Sequence, residues 1–256
     1  MADKFQETCK ILSHEEIGTD IYSMWLETEN ITGPALPGQF IAMYSNDNSR
    51  LLPRPISICE IDKTKKALHI VYRVAGTGTQ EFSEMHAGQT LKVLGPLGNG
   101  FPKVEGKVLI VGGGIGIPPM LELAKQITGE KEICLGYKDE CFLLEEFEKL
   151  GTVFIATEDG SVGTSGNVID AIMKHKIEGD VIFACGPSKM LQALKTYAIE
   201  HHMECYVSME EKMACGIGAC LSCVCQSTEK DAHSKVHNKR ICKEGPVFNC
   251  KEVEIR

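Results

Sequence analysis

The chain has no block of basic residues, no long apolar run and no internal repeat, and each absence narrows what it can be. Lys and Arg number 27 against 35 Asp and Glu, a formal charge of −8 over 256 residues. The cations are scattered, which argues against a nucleic-acid partner. The longest apolar stretch, Val108 to Met120, is broken by glycines and by Pro118-Pro119 and is too short to span a bilayer. The opening residues, Met1 to Glu7, carry no apolar h-region, so no signal peptide is expected. A cytoplasmic protein with no membrane partner follows, in which cysteines stay reduced or bind metal. With 43% hydrophobic and 24% charged residues the composition is ordinary globular material, and the length allows two domains or one large one.

Cysteine is what the chain does have, and unevenly: six of the twelve fall after residue 214. Cys215, Cys220 and Cys223 are spaced C-x4-C-x2-C, the plant-type ferredoxin spacing for a [2Fe–2S] cluster. Wrapping a chain round two irons requires unusual φ angles and close backbone approach, which Gly216 and Gly218 permit. Ala214 and Ala219 keep that wrap tight. A structural zinc usually draws on two short pairs such as C-x2-C, and disulfides need an oxidising compartment; neither fits as well. Cys225, Cys242 and Cys250 are all available as the fourth ligand. Cys242 is chosen because Gly245-Pro246 just beyond it is a turn signal that can bring a distant thiol back.

Upstream, the texture changes once. Residues 1–101 read as short strands, among them 20–26, 39–44, 56–59, 67–74 and 90–94, punctuated by Pro37-Gly38, Gly76, Gly78 and Gly95-Pro96. Such spacing predicts a small antiparallel barrel. From Lys107, buried-strand runs at 108–111, 132–137, 152–156 and 180–185 alternate with helical stretches, as in a doubly wound parallel sheet with helices on both faces. The expected division is therefore 1–101, 102–207 and a cysteine-rich 208–256. Within the last part, the polar run 226–240 is expected to be a surface loop.

Gly112, Gly113, Gly114 and Gly116 follow a predicted strand and open a helix at Pro118. Backbone N–H groups there, with the helix dipole, suit a pyrophosphate. The run is not a strict G-x-G-x-x-G, since Ile117 holds the last glycine position. Two more loops fall at carboxyl ends of strands, where open α/β folds bind ligands. One, 157–163, contains Asp159; the other is Cys185-Gly186-Pro187. Asp139 and Glu140 after the second strand would suit ribose hydroxyls and repel a 2′-phosphate, favouring NAD over NADP.

Arg54-Pro55-Ile56-Ser57, Val71-Tyr72-Arg73 and Gly78-Thr79 resemble, in order, the flavin-binding motifs of the ferredoxin–NADP reductase superfamily. Arg54 offers a guanidinium fork to phosphate, a short helix from Thr79 to Met85 can hold a pyrophosphate at its start, and Ser57 can offer a hydroxyl to the flavin. Leu94 to Phe101, Gly112 to Pro119, Ala184 to Pro187, Ser208 to Cys220 and Ile241 to Phe248 make most of the chain similar to one branch, the electron-transfer subunits of NAD-dependent (class 1B) dihydroorotate dehydrogenase. In that family the cysteine before Gly-Pro-Val-Phe is the fourth cluster ligand, which again selects Cys242. The segment from Cys223 to Cys242 is longer than the family's.

The resemblance implies a barrel holding FAD, a nucleotide domain holding NAD and a C-terminal [2Fe–2S] domain. Cys185 would lie near the nicotinamide and Ser57 near the reactive flavin edge, with no general base required. It further implies an FMN-containing catalytic subunit as partner, in a heterotetramer of two of each, serving de novo pyrimidine synthesis. Two other readings share parts of this pattern. One is the small subunit of an NADH-dependent ferredoxin–NADP oxidoreductase or sulfide dehydrogenase, distinguished by its partner. The other is a zinc-containing nucleotide sensor, distinguished by a visible spectrum without flavin.

Overall fold

A computed structural model describes residues 3–47, 49–230 and 235–255. The first strands are β1 (Phe5–Gly18), β2 (Ile21–Glu27), β3 (Phe40–Met43), β4 (Arg54–Asp62) and β5 (Ala67–Arg73). Helix α1 (Thr77–Ser83) and strand β6 (Thr90–Leu97) follow. The six strands close into an antiparallel barrel in the order β1-β2-β5-β4-β3-β6. Its interior is lined by alternate residues such as Met24, Leu26, Ile41, Ile58, Ile70 and Val93, all inaccessible to solvent, as period-two burial demands. The sequence signal had singled out no strand before residue 20. Yet β1 is the longest strand of the barrel, and in it only Cys9 and Ile11 are buried. It is held by pairing with β2 and β6 rather than by its own hydrophobicity.

The second half begins with β7 (Val108–Gly113), buried along its whole length, and a 3₁₀ turn at Gly114–Gly116. It continues through α2 (Pro118–Gln126), β8 (Lys131–Tyr137), α3 (Leu144–Glu148), β9 (Thr152–Thr157) and β10 (Thr164–Ser165). Next come α4 (Val168–His175), β11 (Val181–Cys185), α5 (Ser188–Glu200) and β12 (Glu204–Ser208). Three short strands end the chain: β13 (Val224–Gln226), β14 (Asn238–Arg240) and β15 (Val247–Asn249). The sheet runs β10-β9-β8-β7-β11-β12-β15. All its pairs are parallel except the last, in which β15 runs antiparallel to β12. The cysteine-rich tail thus supplies the edge strand of the nucleotide sheet. The polar run 226–240 is not wholly loop, because β13 and β14 pair as a hairpin from Val224↔Arg240 to Gln226↔Asn238; its residues 231–234 lie outside those described.

Helix α2 shows how the halves are joined. Proline at its first position suits a turn that needs no N–H partner. Every residue from Pro118 to Ala124 is buried, because the helix is sandwiched between the parallel sheet and β4. Glu122 Oε2 accepts the Ile61 N–H at 2.8 Å. Glu60, carried on a bulge of β4, accepts from His69 Nδ1 at 2.7 Å and pairs with Lys125 of α2. His69 Nε2 meets Ser23 Oγ at 2.8 Å. Glu60→Ala strands the buried imidazole of His69, while the exposed Lys125 ammonium can turn to water, so its urea midpoint should reflect a loss of about 1–3 kcal/mol; an unchanged midpoint would remove this network from the account of the joint.

Candidate functional site

The four expected cluster cysteines converge as two pairs. Cys215 and Cys220 place their Sγ atoms 3.3 Å apart, and the Cys220 N–H points at Cys215 Sγ at 3.4 Å. Cys242 donates its N–H to Cys223 Sγ at 3.5 Å, and the two free thiols are hydrogen-bonded to each other. Two irons each need two protein thiolates, and this donor set offers that number and arrangement. Burial opposes ionisation of Cys215, but N–H groups of Cys220, Ile217 and Ala219 and the Cys220 thiol pull it down to about 6. Gly218 adopts φ +83°, and a Cβ there would run into the Lys243 side chain, so the wrap needs glycine at that point. Cys225 sits in β13 facing the core, and Cys250 is buried against Cys205, whose thiol hydrogen-bonds to it. Neither joins the four.

One contact of this loop lay beyond sequence reading. Arg240 donates to the Gly218 carbonyl at 2.9 Å while its Nε and Nη2 grip Glu244 at 3.1 and 2.6 Å. The guanidinium thereby fastens the first ligand loop to the turn after Cys242. Arg240→Ala should therefore speed iron loss to a chelator by roughly 10-fold, measured by bleaching of the visible spectrum; an unchanged rate would show that the strap is dispensable.

The loop leans on the barrel. Gly216 lies beside Leu97 of β6 and Ala42 of β3, and Ala42 is the register partner of Pro55 in β4. One strand therefore separates the thiol loop from Arg54-Pro55-Ile56-Ser57. Arg54 lies across Gly78 so closely that a Cβ at residue 78 would overlap its guanidinium. Together they form a cradle at the start of α1, which begins at Thr77 rather than Thr79. The Thr79 hydroxyl is spent locally, accepting the Ala75 and Gly76 N–H groups at 2.9 and 3.2 Å. Beside the cradle opens a cavity of about 570 Å³ bordered by Asp47, Arg50, Gly76 and Gln80. Arg50, which no motif signalled, crosses its edge to reach Thr77 O at 2.8 Å and Glu81 at 2.7 Å. Glu81 and Glu84 also line the cavity, so its charge is mixed, and the Arg54 guanidinium over Gly78 is the group that suits a cofactor phosphate.

Val71 and Arg73 face outward from β5, Val71 towards the core of the sheet half. Tyr72 points into the barrel instead, 1% exposed, with its hydroxyl 2.9 Å from His14 Nε2. Only its backbone is available to a ligand outside. Arg73 reaches a cleft of about 380 Å³ shared with Gly113, Gly114, Gly116, Gly186 and Pro187. Register explains this meeting: Cys185 pairs with Gly112 across β11 and β7, so both glycine loops leave neighbouring strand ends. Gly116 presses on the Cys185 carbonyl, where any Cβ would collide at 2.5 Å. Ser188, the first residue of α5, also lines the cleft, giving a helix start of the kind that attracts anions.

Three expected residues stand elsewhere. The Asp159 carboxylate serves its own turn, accepting Ser161 N–H and Oγ at 3.0 and 2.7 Å, and these bonds hold it below the usual range. Glu140 accepts the Thr19 N–H at 2.8 Å, bracing β8 against the β1–β2 hairpin. Asp139 binds the N–H of Glu140 at 2.7 Å. Glu210, by contrast, lines the cleft opposite the glycine loops. Desolvation there raises its carboxyl above the ordinary value, and its charge is felt at Cys185.

Comparisons with known proteins agree with this geometry. A family model described as the iron–sulfur cluster binding domain of dihydroorotate dehydrogenase B matches residues 210–254, and an oxidoreductase FAD-binding domain model matches 8–101. The electron transfer subunit of dihydroorotate dehydrogenase B (NAD(+)) from Caldanaerobacter subterraneus subsp. tengcongensis is 42% identical over 252 residues, covering 98% of this chain and 99% of that one. The chain belongs to that family. The corresponding subunit of Geobacillus sp. is also 42% identical, over 260 residues, with the same coverage. Among solved structures, one of an NADH-dependent reduced ferredoxin-NADP oxidoreductase superposes with a TM-score of 0.88 at 27% identity, over 97% of this chain and 90% of that one. An Amycolatopsis cytochrome P450 reductase, at 18% identity and TM-score 0.66 over 78% and 67% of the two chains, shares the fold. Among the described residues no helix is long and apolar enough to cross a membrane.

Proposed function

We propose that this chain is the electron-transfer half of a two-subunit, NAD-linked dihydroorotate dehydrogenase. Residues 1–101 hold FAD, 102–207 hold NAD and 208–256 hold a [2Fe–2S] cluster. When bound, the cluster would pass single electrons and the flavin would gather two to serve a nicotinamide that accepts only pairs. The residues divide the remaining work. Cys215, Cys220, Cys223 and Cys242 hold the irons. Arg54, Gly78 and the start of α1 cradle a pyrophosphate, while Pro55, Ile56 and Ser57 flank the flavin ring. Gly112, Gly113, Gly114, Gly116, Cys185, Gly186 and Pro187 shape the nicotinamide side, with Arg73 and Glu210 closing the cleft. Ring alignment rather than acid–base help is what a hydride transfer requires of them. The observation that carries this reading is that the thiol loop rests on β3, one strand from β4, while the nucleotide cleft opens at the end of β5, on the other side of β4.

The partner is an FMN-containing catalytic subunit that oxidises dihydroorotate, two of each forming a heterotetramer in the cytoplasm for de novo pyrimidine synthesis. Cys215 and Cys220 are partly exposed whereas Cys223 and Cys242 are buried, so the partner docks over Ile217 and Leu221, both exposed apolar residues. Coexpression with that subunit should give a complex containing FMN, FAD, iron and sulfide that reduces NAD+ with dihydroorotate. The TM-score of 0.88 to the NADH-dependent ferredoxin-NADP oxidoreductase structure supports a second reading, a small subunit of such an enzyme or of a sulfide dehydrogenase. Copurification with a large FAD and iron–sulfur partner, and no dihydroorotate-driven turnover, would establish it instead.

A further inference from the structure

Between the flavin strand and the fourth cysteine runs a set of hydrogen bonds that belongs to neither cofactor motif. Gln39, only 3% exposed, precedes β3 and accepts the Ile58 N–H of β4 on its carbonyl at 3.0 Å. Its side chain is fixed at both ends. Oε1 accepts the Leu36 N–H at 2.8 Å and Nε2 donates to the Gly98 carbonyl at 2.7 Å. The next residue, Asn99, continues the line. Its backbone N–H donates to the Gly245 carbonyl at 2.6 Å. Its Nδ2 donates to the carbonyls of Lys243 and Glu244 at 3.1 and 3.0 Å. A single asparagine thus captures three successive carbonyls of the turn that immediately follows Cys242. Both partners of Nδ2 are carbonyls, so the amide orientation is dictated by the bonds themselves.

The arrangement differs from an ordinary interdomain tie in where its ends lie. One end is the backbone of β4, three residues along from Pro55; the other is the segment that aims Cys242. Residues 243–245 are held within the tail by Arg240, which takes the N–H groups of Lys243 and Glu244 on its carbonyl and grips the Glu244 carboxylate; the Asn99 bonds are what tie them to the end of β6. We propose that Gln39 and Asn99 are positioning residues that fix the fourth ligand relative to the flavin strand, and so set both the electronic environment of the cluster and the rate at which electrons cross to the flavin. This rests on the cofactor assignment above. It makes the run Leu97-Gly98-Asn99 a cluster-site element although it lies more than 100 residues away in sequence.

The test uses the assembled two-subunit complex carrying Asn99→Ala, Asn99→Asp or Gln39→Glu, the last two isosteric and replacing the donating amide by a carboxylate that repels the carbonyls it faces. Iron and FAD content should stay at wild-type level and NADH-driven dye reduction, which needs only the flavin side, should be unchanged. The electron paramagnetic resonance spectrum of the reduced cluster should shift in line shape, and dihydroorotate-driven NAD+ reduction should slow by roughly 10-fold. If Asn99→Ala does not assemble, Asn99→Ser, which keeps a short polar side chain but cannot span both carbonyls, takes its place. Wild-type resonance and wild-type turnover in the isosteric variants would overturn the proposal, as would an equal fall in dye reduction, which marks general damage. Failure of the wild-type complex to use dihydroorotate strikes the functional assignment instead; the resonance shift, read on dithionite-reduced protein, still decides the role of Asn99.

Discussion

Cys242→Ser should remove the cluster while leaving the flavin. Cys242 is 1% exposed and shares a pair with Cys223, so its loss leaves one iron with a single sulfur donor from this pair. Partners that only orient metal ligands are worth roughly 10–100-fold, and losing a ligand itself should cost more. Iron and sulfide content should fall to a small fraction of wild type and dihydroorotate-driven NAD+ reduction by more than about 100-fold, with FAD content unchanged. Cys225→Ser and Cys250→Ser provide the contrast, because both thiols stand outside the two pairs and should leave iron content intact. A Cys225→Ser protein without iron, beside a Cys242→Ser protein that keeps it, would reassign the fourth ligand.

The second large effect concerns the nucleotide cleft. Gly116 lies against the backbone of Cys185 and Gly186, atoms that cannot swing aside as a side chain can. Gly116→Val must push the two glycine loops apart, an overpacking that costs about 1–3 kcal/mol. The resulting displacement of the cleft walls should weaken nucleotide binding by roughly 10-fold or more. The KM for NADH in dye reduction should rise accordingly, while iron and FAD stay bound. A normal KM would mean that the cleft at Gly116, Gly186 and Arg73 does not take the nicotinamide nucleotide.

What the sequence made legible was local. The C-x4-C-x2-C spacing, its glycines and the glycine run after β7 announce themselves because the chemistry is carried by neighbouring residues. Cys242 was legible through a turn signal and through family resemblance. The parallel sheet was legible because β7 and β11 are buried on both faces and therefore continuously apolar. What escaped reading depends on partners far away in the chain. The polar strand β1 is a strand because β2 and β6 flank it. β15 completes a sheet whose other strands lie before residue 209. Asn99, Arg240 and Glu210 acquire meaning only when loops from three parts of the chain meet. The converse also held: Tyr72, Asp159 and Glu140 have the right side chains in the right order, yet the fold spends the hydroxyl of the first and the carboxylates of the others on internal bonds.

The claim beneath all of this is that four thiols, in pairs 215/220 and 223/242, bind two irons beside the flavin strand. Anaerobic purification of the complex, followed by metal and sulfide analysis before and after reduction with dihydroorotate, addresses it directly. Two irons and two sulfides per chain, with a reduced-cluster resonance that dihydroorotate alone elicits, is the expected result. Zinc in place of iron, or a cluster that dihydroorotate never reduces, would contradict the account.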